Sequence, residues 1–127
     1  MSRIKTFVSS IGVALVIAAP LHAAQPLYQI FADCAGRLSA EIEHAWLLNL
    51  SQADQLEARR SVFLSLLDAT LPPDDAPQAM SHRIEAKMAQ FALLTAATFD
   101  ASEQRAARAK DRARWHIARC DELLLDS

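Results

Sequence analysis

The chain has 127 residues, 52% of them hydrophobic, with 13 Lys and Arg against 15 Asp and Glu, two Cys and only two Gly. That is one domain's worth of chain, and a formal charge of −2 creates no field suited to nucleic acid. Two glycines are too few for a phosphate-cradling loop or for an all-β fold with its many tight turns.

Arg3 and Lys5 precede a mostly apolar run from Phe7 to Ala19, which is followed by Pro20, His22, Ala23 and Ala24. A basic start, a short apolar stretch and a small-residue exit predict an export signal over residues 1–23, cleaved after Ala23 or Ala24. The apolar run is shorter than the roughly 20 residues a membrane-spanning helix needs. No Cys follows the cleavage region directly, so a lipid anchor is not expected. The sequence therefore predicts a periplasmic or secreted protein with no stable membrane anchor after processing.

Residues 24–127 are expected to form a single domain. They carry 11 Lys and Arg against 15 Asp and Glu, a formal charge of −4, and a single glycine, Gly36. Ala occurs 21 times and Leu 15 times there, whereas Val, Ile and Thr together number eight. Ala and Leu lose little entropy in a helix, and the β-branched residues that suit strands are scarce, so the composition favours helices.

The first predicted helix begins at Pro26, places Leu27, Phe31, Cys34, Leu38, Ile42 and Ala45 on one face, and ends near Asn49. Ser51 and Asp54 resemble a capping box that opens a second helix, with Leu56, Phe63, Leu66, Leu67 and Thr70 inside and Pro72-Pro73 as its stop. Asp74 or Asp75 caps a third helix with Pro77 in its first turn. Its predicted inner stripe is Met80, Ile84, Met88, Phe91, Thr95 and Thr98. Asp100 and Glu103 signal the start of a fourth, with Ala106, Ala109, Ala113, Ile117, Cys120 and Leu124 in register.

Four helices with short connections predict an antiparallel up-down-up-down bundle. Cys34 lies early on the first helix and Cys120 late on the fourth, so in that topology both fall near the same end and are positioned to form a disulfide linking the two. Such a bond is valuable to a small domain with Ala at several inner positions. It also sets a level rule, by which residue 34+k faces residue 120−k. Glu41 and Glu43 are then expected to form surface ion pairs with Arg112 and Arg114.

By the same rule Arg105 and Arg108 face Asn49 and Trp46, neither of them acidic, and with Lys110 they form a cationic patch. Trp46 stands beside it and Trp115 lies further along the fourth helix. Arg beside Trp suits anion and protein recognition, so Trp46, Arg105, Arg108, Lys110 and Trp115 are the candidate interaction residues. The run Trp46 to Leu50 is apolar nearly all round its helix, so part of it is expected to cap the end of the bundle or, alternatively, to be exposed to a partner. This end and the Arg105/Arg108 patch are the expected contact surface. Gly36 either admits a close neighbour or is a tolerated defect.

Other constellations lack parts. Glu41 and His44 have the E-x-x-H spacing of diiron bundles, but no second such motif follows. His116 with Met80 or Met88 has the residue types of a non-covalent haem site, while a C-x-x-C-H attachment motif is missing. Asp74 and Asp75 suit capping better than acid–base work, and no nucleophile stands in a triad motif. No catalytic residue, metal or cofactor is expected. The sequence does not specify a molecular function or oligomeric state; its leading implication is a non-enzymatic interaction or accessory module with an unknown protein partner. A carrier of a small apolar ligand or haem in the bundle core is the alternative.

Overall fold

The computed structural model describes residues 24–125; the predicted export segment, residues 1–23, lies outside them. The described residues are 87% helical, without strands. The helices are α1 (Leu27–Leu47), α2 (Ala53–Thr70), α3 (Ala76–Phe99) and α4 (Glu103–Leu125), with a 3-10 turn over Pro73–Asp75 leading into α3. Among these elements none is long and apolar enough to cross a membrane.

Helix ends follow local chemistry. The Pro26 carbonyl accepts from the Gln29 and Ile30 amides to start α1. At the other end Asn49 takes a left-handed φ of 54°, while the Leu50 amide reaches back to the Ala45 carbonyl and the Asn49 amide to that of Trp46. This is a Schellman motif with Asn in the usual glycine position. The anticipated Ser51 cap is not made, since α2 starts at Ala53 without a side-chain cap. Ser102 rather than Asp100 caps α4: its Oγ accepts the Arg105 amide, and Asp100 Oδ1 accepts the Ser102 amide.

α1 is the hub. Twelve of its 21 residues are buried, more than one helix face supplies, because α2, α3 and α4 all pack on it. Along α1 the partners on α2 fall in number, with Phe63 beside Phe31 (ring centroids 6.2 Å apart) and Arg60 beside Ser39. Partners on α3 rise instead: Gln78 bonds Tyr28, His82 meets Asp33, and Thr98 meets His44. Cys120 of α4 joins Cys34 in the disulfide. The large core residues gather on the α2 side, where Phe63, Leu38 and Ile42 are wholly buried, each contributing roughly 1.5–3 kcal/mol.

The α3 side is different. Its contact with α1 is made of small residues, including Ala32, Gly36 and Ala40 on α1 and Ala79 and Ala86 on α3. A β-carbon at Gly36 would collide with the Arg83 carbonyl oxygen and crowd the Lys87 amide, so glycine is what lets α3 lie this close.

This packing overturns the predicted inner stripe of α3. Met80, Ile84, Met88, Phe91 and Thr95 face solvent, as does most of Thr98, and the buried residues are Ala79, Ala86, Gln90 and Leu94. The helix is rotated so that its small residues meet α1 and its large ones point away. The expected α1–α4 ion-pair ladder is likewise absent among the described contacts: Glu43 pairs with Lys87 of α3, and Glu41 bonds Gln90. α3, lying closest to α1, supplies their partners.

Two stability measurements check these contacts. Gly36→Ala, which elsewhere in a helix gains about 0.5–1 kcal/mol, should instead lose a net 1–3 kcal/mol or so because the backbones must separate. Urea denaturation of the oxidised chain reads the sign directly. Reduction of Cys34–Cys120 opens a link across 86 residues and should cost about 4–5 kcal/mol, seen as a fall in urea midpoint.

Candidate functional site

Gln90, wholly buried, joins three helices with one amide. Its Nε2 donates to Glu41 Oε1 at 2.7 Å and to the Ala113 carbonyl at 3.2 Å, and its Oε1 accepts from Arg37 Nη1 at 3.0 Å. A buried amide is tolerated when its donors and acceptor are satisfied, and here they are. The bonds to Glu41 and Ala113 also bring these residues to a common level, as the disulfide register requires.

One turn further along α1, the buried His44 meets Thr98 Oγ1 through Nε2 at 3.3 Å, and Thr98 Oγ1 donates to the Leu94 carbonyl at 2.9 Å. With the hydroxyl proton directed at Leu94, the Nε2 that faces Thr98 Oγ1 carries a proton and donates it. Thr98 and Glu41 thus each have a hydrogen-bond partner within the fold.

Glu41, His44 and Thr98 open onto a cleft of about 440 Å³. Leu48 and Leu50 of the α1–α2 turn, Leu94 and Ala97 of α3, and Ala113 of α4 give it apolar walls, while Lys110 and Arg114 add positive charge. Burial holds the Glu41 carboxyl above the usual carboxylate range, opposed by its bond to Gln90 and by the charges of His44 and Arg59. The cleft can accept an apolar group that carries an anionic end. Glu41 and His44 share it, but no group of three His, Cys, Asp or Glu suited to a metal occurs among the described residues.

The predicted interaction residues separate in space. Trp46 is 58% exposed, and Leu47, Leu48 and Leu50 are exposed beside it, so this run does not cap the bundle end as expected. The Schellman turn directs the chain outward there. Lys110 lies in the cleft with Leu48 and Leu50, and Arg108 is exposed on the same helix. Arg105 is gripped by Asp100 through Nε and Nη2, which holds the Asp100 carboxyl below its ordinary range. The third helix offers no acid between Ala86 and Phe99, and the partner, Asp100, is the next residue, in the α3–α4 turn.

Trp115 belongs elsewhere. It lines a groove beside Cys34 and Cys120, with the Arg119 guanidinium 5.3 Å from its ring centroid and His116 edge-on. Trp46 lies twelve residues beyond Cys34 on α1, about 18 Å away along the axis. Burial, then Arg37, Arg112 and Arg119, lower the His116 pKa. Met80 lines a different recess, with Ser39, Glu43 and Arg60, and Met88 is exposed on α3, so neither Met lines the groove of His116. Gln90 was the residue sequence reasoning missed; its place in an Ala-rich stripe at 79, 86, 90 and 97 was the available signal.

No family model matches the chain, and no curated protein or solved structure is significantly similar to it.

Because Glu41 is harder to ionise folded than unfolded, ionising it favours the unfolded chain. Its contribution therefore falls as pH rises from the unfolded value near 4.5 through the raised folded value. Glu41→Gln keeps the acceptor for Gln90 and removes the charge. Its melting temperature should exceed that of the wild type at pH 7, and the difference should vanish near pH 4.

Proposed function

We propose that the chain is an exported, disulfide-stapled, non-enzymatic interaction module folded as an up-down-up-down antiparallel four-helix bundle. The rising register of α3 and the falling registers of α2 and α4 along α1 support that topology. Export to the periplasm or beyond draws support from the basic and apolar start of the sequence, and a disulfide is compatible with an oxidising compartment.

The observation that carries the interaction reading is the exposed apolar cluster Trp46, Leu47, Leu48 and Leu50 beside a cleft bearing Lys110 and Arg114. Apolar anchors around a pocket with cations at its rim are the composition of a protein-binding hot spot. The matching partner is a protein segment with an apolar side chain for the cleft and carboxylates for Lys110, Arg114 and Arg108. Arg105, already paired, and Trp115, in its own groove, are secondary candidates. Nucleic acid is a poor match for a chain of net negative charge.

A carrier function has one specific support: the cleft volume lies within the range of small-molecule sites. Its mixed lining favours a small amphipathic ligand there over haem in the core.

A photo-crosslinking residue at Leu50, with the same residue at exposed Ser65 of α2 as control, separates these readings in the native compartment. A discrete protein adduct from position 50 alone, lost on Lys110→Glu with Arg114→Glu while thermal stability is unchanged, is the expected outcome. Absence of any adduct, together with a co-purified small molecule in native mass spectra, would favour the carrier.

A further inference from the structure

The outer face of α3 carries Met80, Ile84, Met88, Phe91 and Phe99, between 36% and 64% exposed, along a helix about 36 Å long. No charged residue lies within this stripe; Lys87 (paired with Glu43), Arg60 and Arg83 border its first half, and Asp100 its far end. Apolar residues this large would serve the core if they faced it, and the Gly36 contact keeps them out.

The spacing of the stripe is palindromic. About a point midway between residues 89 and 90, Met80 corresponds to Phe99, Ile84 to Thr95, and Met88 to Phe91. In the second half of the helix Phe91, Ala92, Thr95, Ala96 and Phe99 frame a shallow, mostly apolar groove with Asp100 at its end. The first half offers Met80 and Ile84, half-exposed at the rim of a recess shared with Ser39, Arg60 and Lys87. A two-fold axis through the midpoint lays the knobs of each helix in the groove of the other, the self-complementarity an isologous contact requires. Complete burial of these side chains on two copies removes at most about 1,200 Å² from water, the low end of specific interfaces.

We propose that the occupant of this face is a second copy of the same chain, docked antiparallel across α3 with Met80 over the partner copy's groove. A copy is favoured over an unrelated protein because it alone repeats both the spacing and the groove by necessity. The proposal uses other residues than the Trp46 cleft and is independent of the function assigned to that cleft.

Sedimentation of the chain with its disulfide intact, at tens of micromolar, should give twice the monomer mass. Ile84→Glu with Met88→Glu should weaken the dimer at least about tenfold while leaving a cooperative melt, since both side chains are exposed. A register test uses two differently tagged chains, one Met80→Cys and one Phe99→Cys, mixed and joined with a short bis-maleimide. Mixed 80–99 adducts should dominate over 80–80 and 99–99. A monomer at these concentrations, a dimer indifferent to the two glutamates, or predominantly like-with-like crosslinks would overturn the proposal; if the glutamate chain does not fold, the crosslink register decides.

Discussion

Two helix backbones can approach closely only where neither carries a side chain in the gap, and Gly36 of α1 meets this condition against the Arg83 carbonyl of α3. Ala32 and Ala40 continue the small surface on α1, as Ala79 and Ala86 do on α3. The contact gains by dispersion between closely placed backbones what it lacks in side-chain volume. It also places α1 at the centre of the molecule, with α2 on its large-residue side and α3 on its small-residue side, while α2 and α3 make no close backbone contact with each other.

Polar contacts follow from that closeness. With α3 near, the long side chains of α1 reach it first: Asp33 to His82, Arg37 to Gln90, Glu43 to Lys87. Gln90 has room to lie flat in the interface because Ala occupies the adjacent inner positions, and its amide then spans to the Ala113 carbonyl of α4. Exposed ion pairs of this kind contribute little each. The wholly buried amide is different, because a lost partner there leaves a desolvated polar group.

The helices, their breaks and the Cys34–Cys120 bond were legible from the sequence, since Pro, capping residues and 3.6-residue periodicity are local signals. α1 and α4 were also oriented correctly, because each has one apolar stripe whose residues are buried or half-buried, apart from exposed Leu27. α3 has two stripes of helical period. Met80, Ile84, Met88, Phe91 and Thr95 form the more hydrophobic one, and Ala79, Ala86, Gln90, Leu94 and Ala97 the smaller. Hydrophobicity ranks the first as the inside; the geometry of close approach selects the second. Only Gly36, on another helix, distinguishes them, and pairing a glycine with a stripe 50 residues away requires knowing which helices are neighbours. The exposed Trp46 to Leu50 run was recognised as excess apolar surface, but the left-handed Asn49 that turns it outward has no comparably strong sequence signal.

The same economy of volume explains why a cleft opens at one end and not the other. The inner face of α4 grades from Ala106, Ala109 and Ala113 to Ile117, Cys120 and Leu124. Near the disulfide the larger residues pack with Phe31, Phe63 and Leu38, and the core closes. At the other end α4 presents Ala113, α3 presents Ala97, and α1 contributes Glu41 and His44 where a filled layer would carry Leu or Ile. The remaining space is walled by Leu48 and Leu50 from the turn rather than by a helix interior. A covalent link at the packed end lets the open end keep small and polar residues, since the closure entropy of the chain is offset where the sulfurs meet. The cleft is therefore a consequence of where the volume was placed along α4, and it lies where the exposed Trp46 to Leu50 run and the Lys110 and Arg114 cations converge.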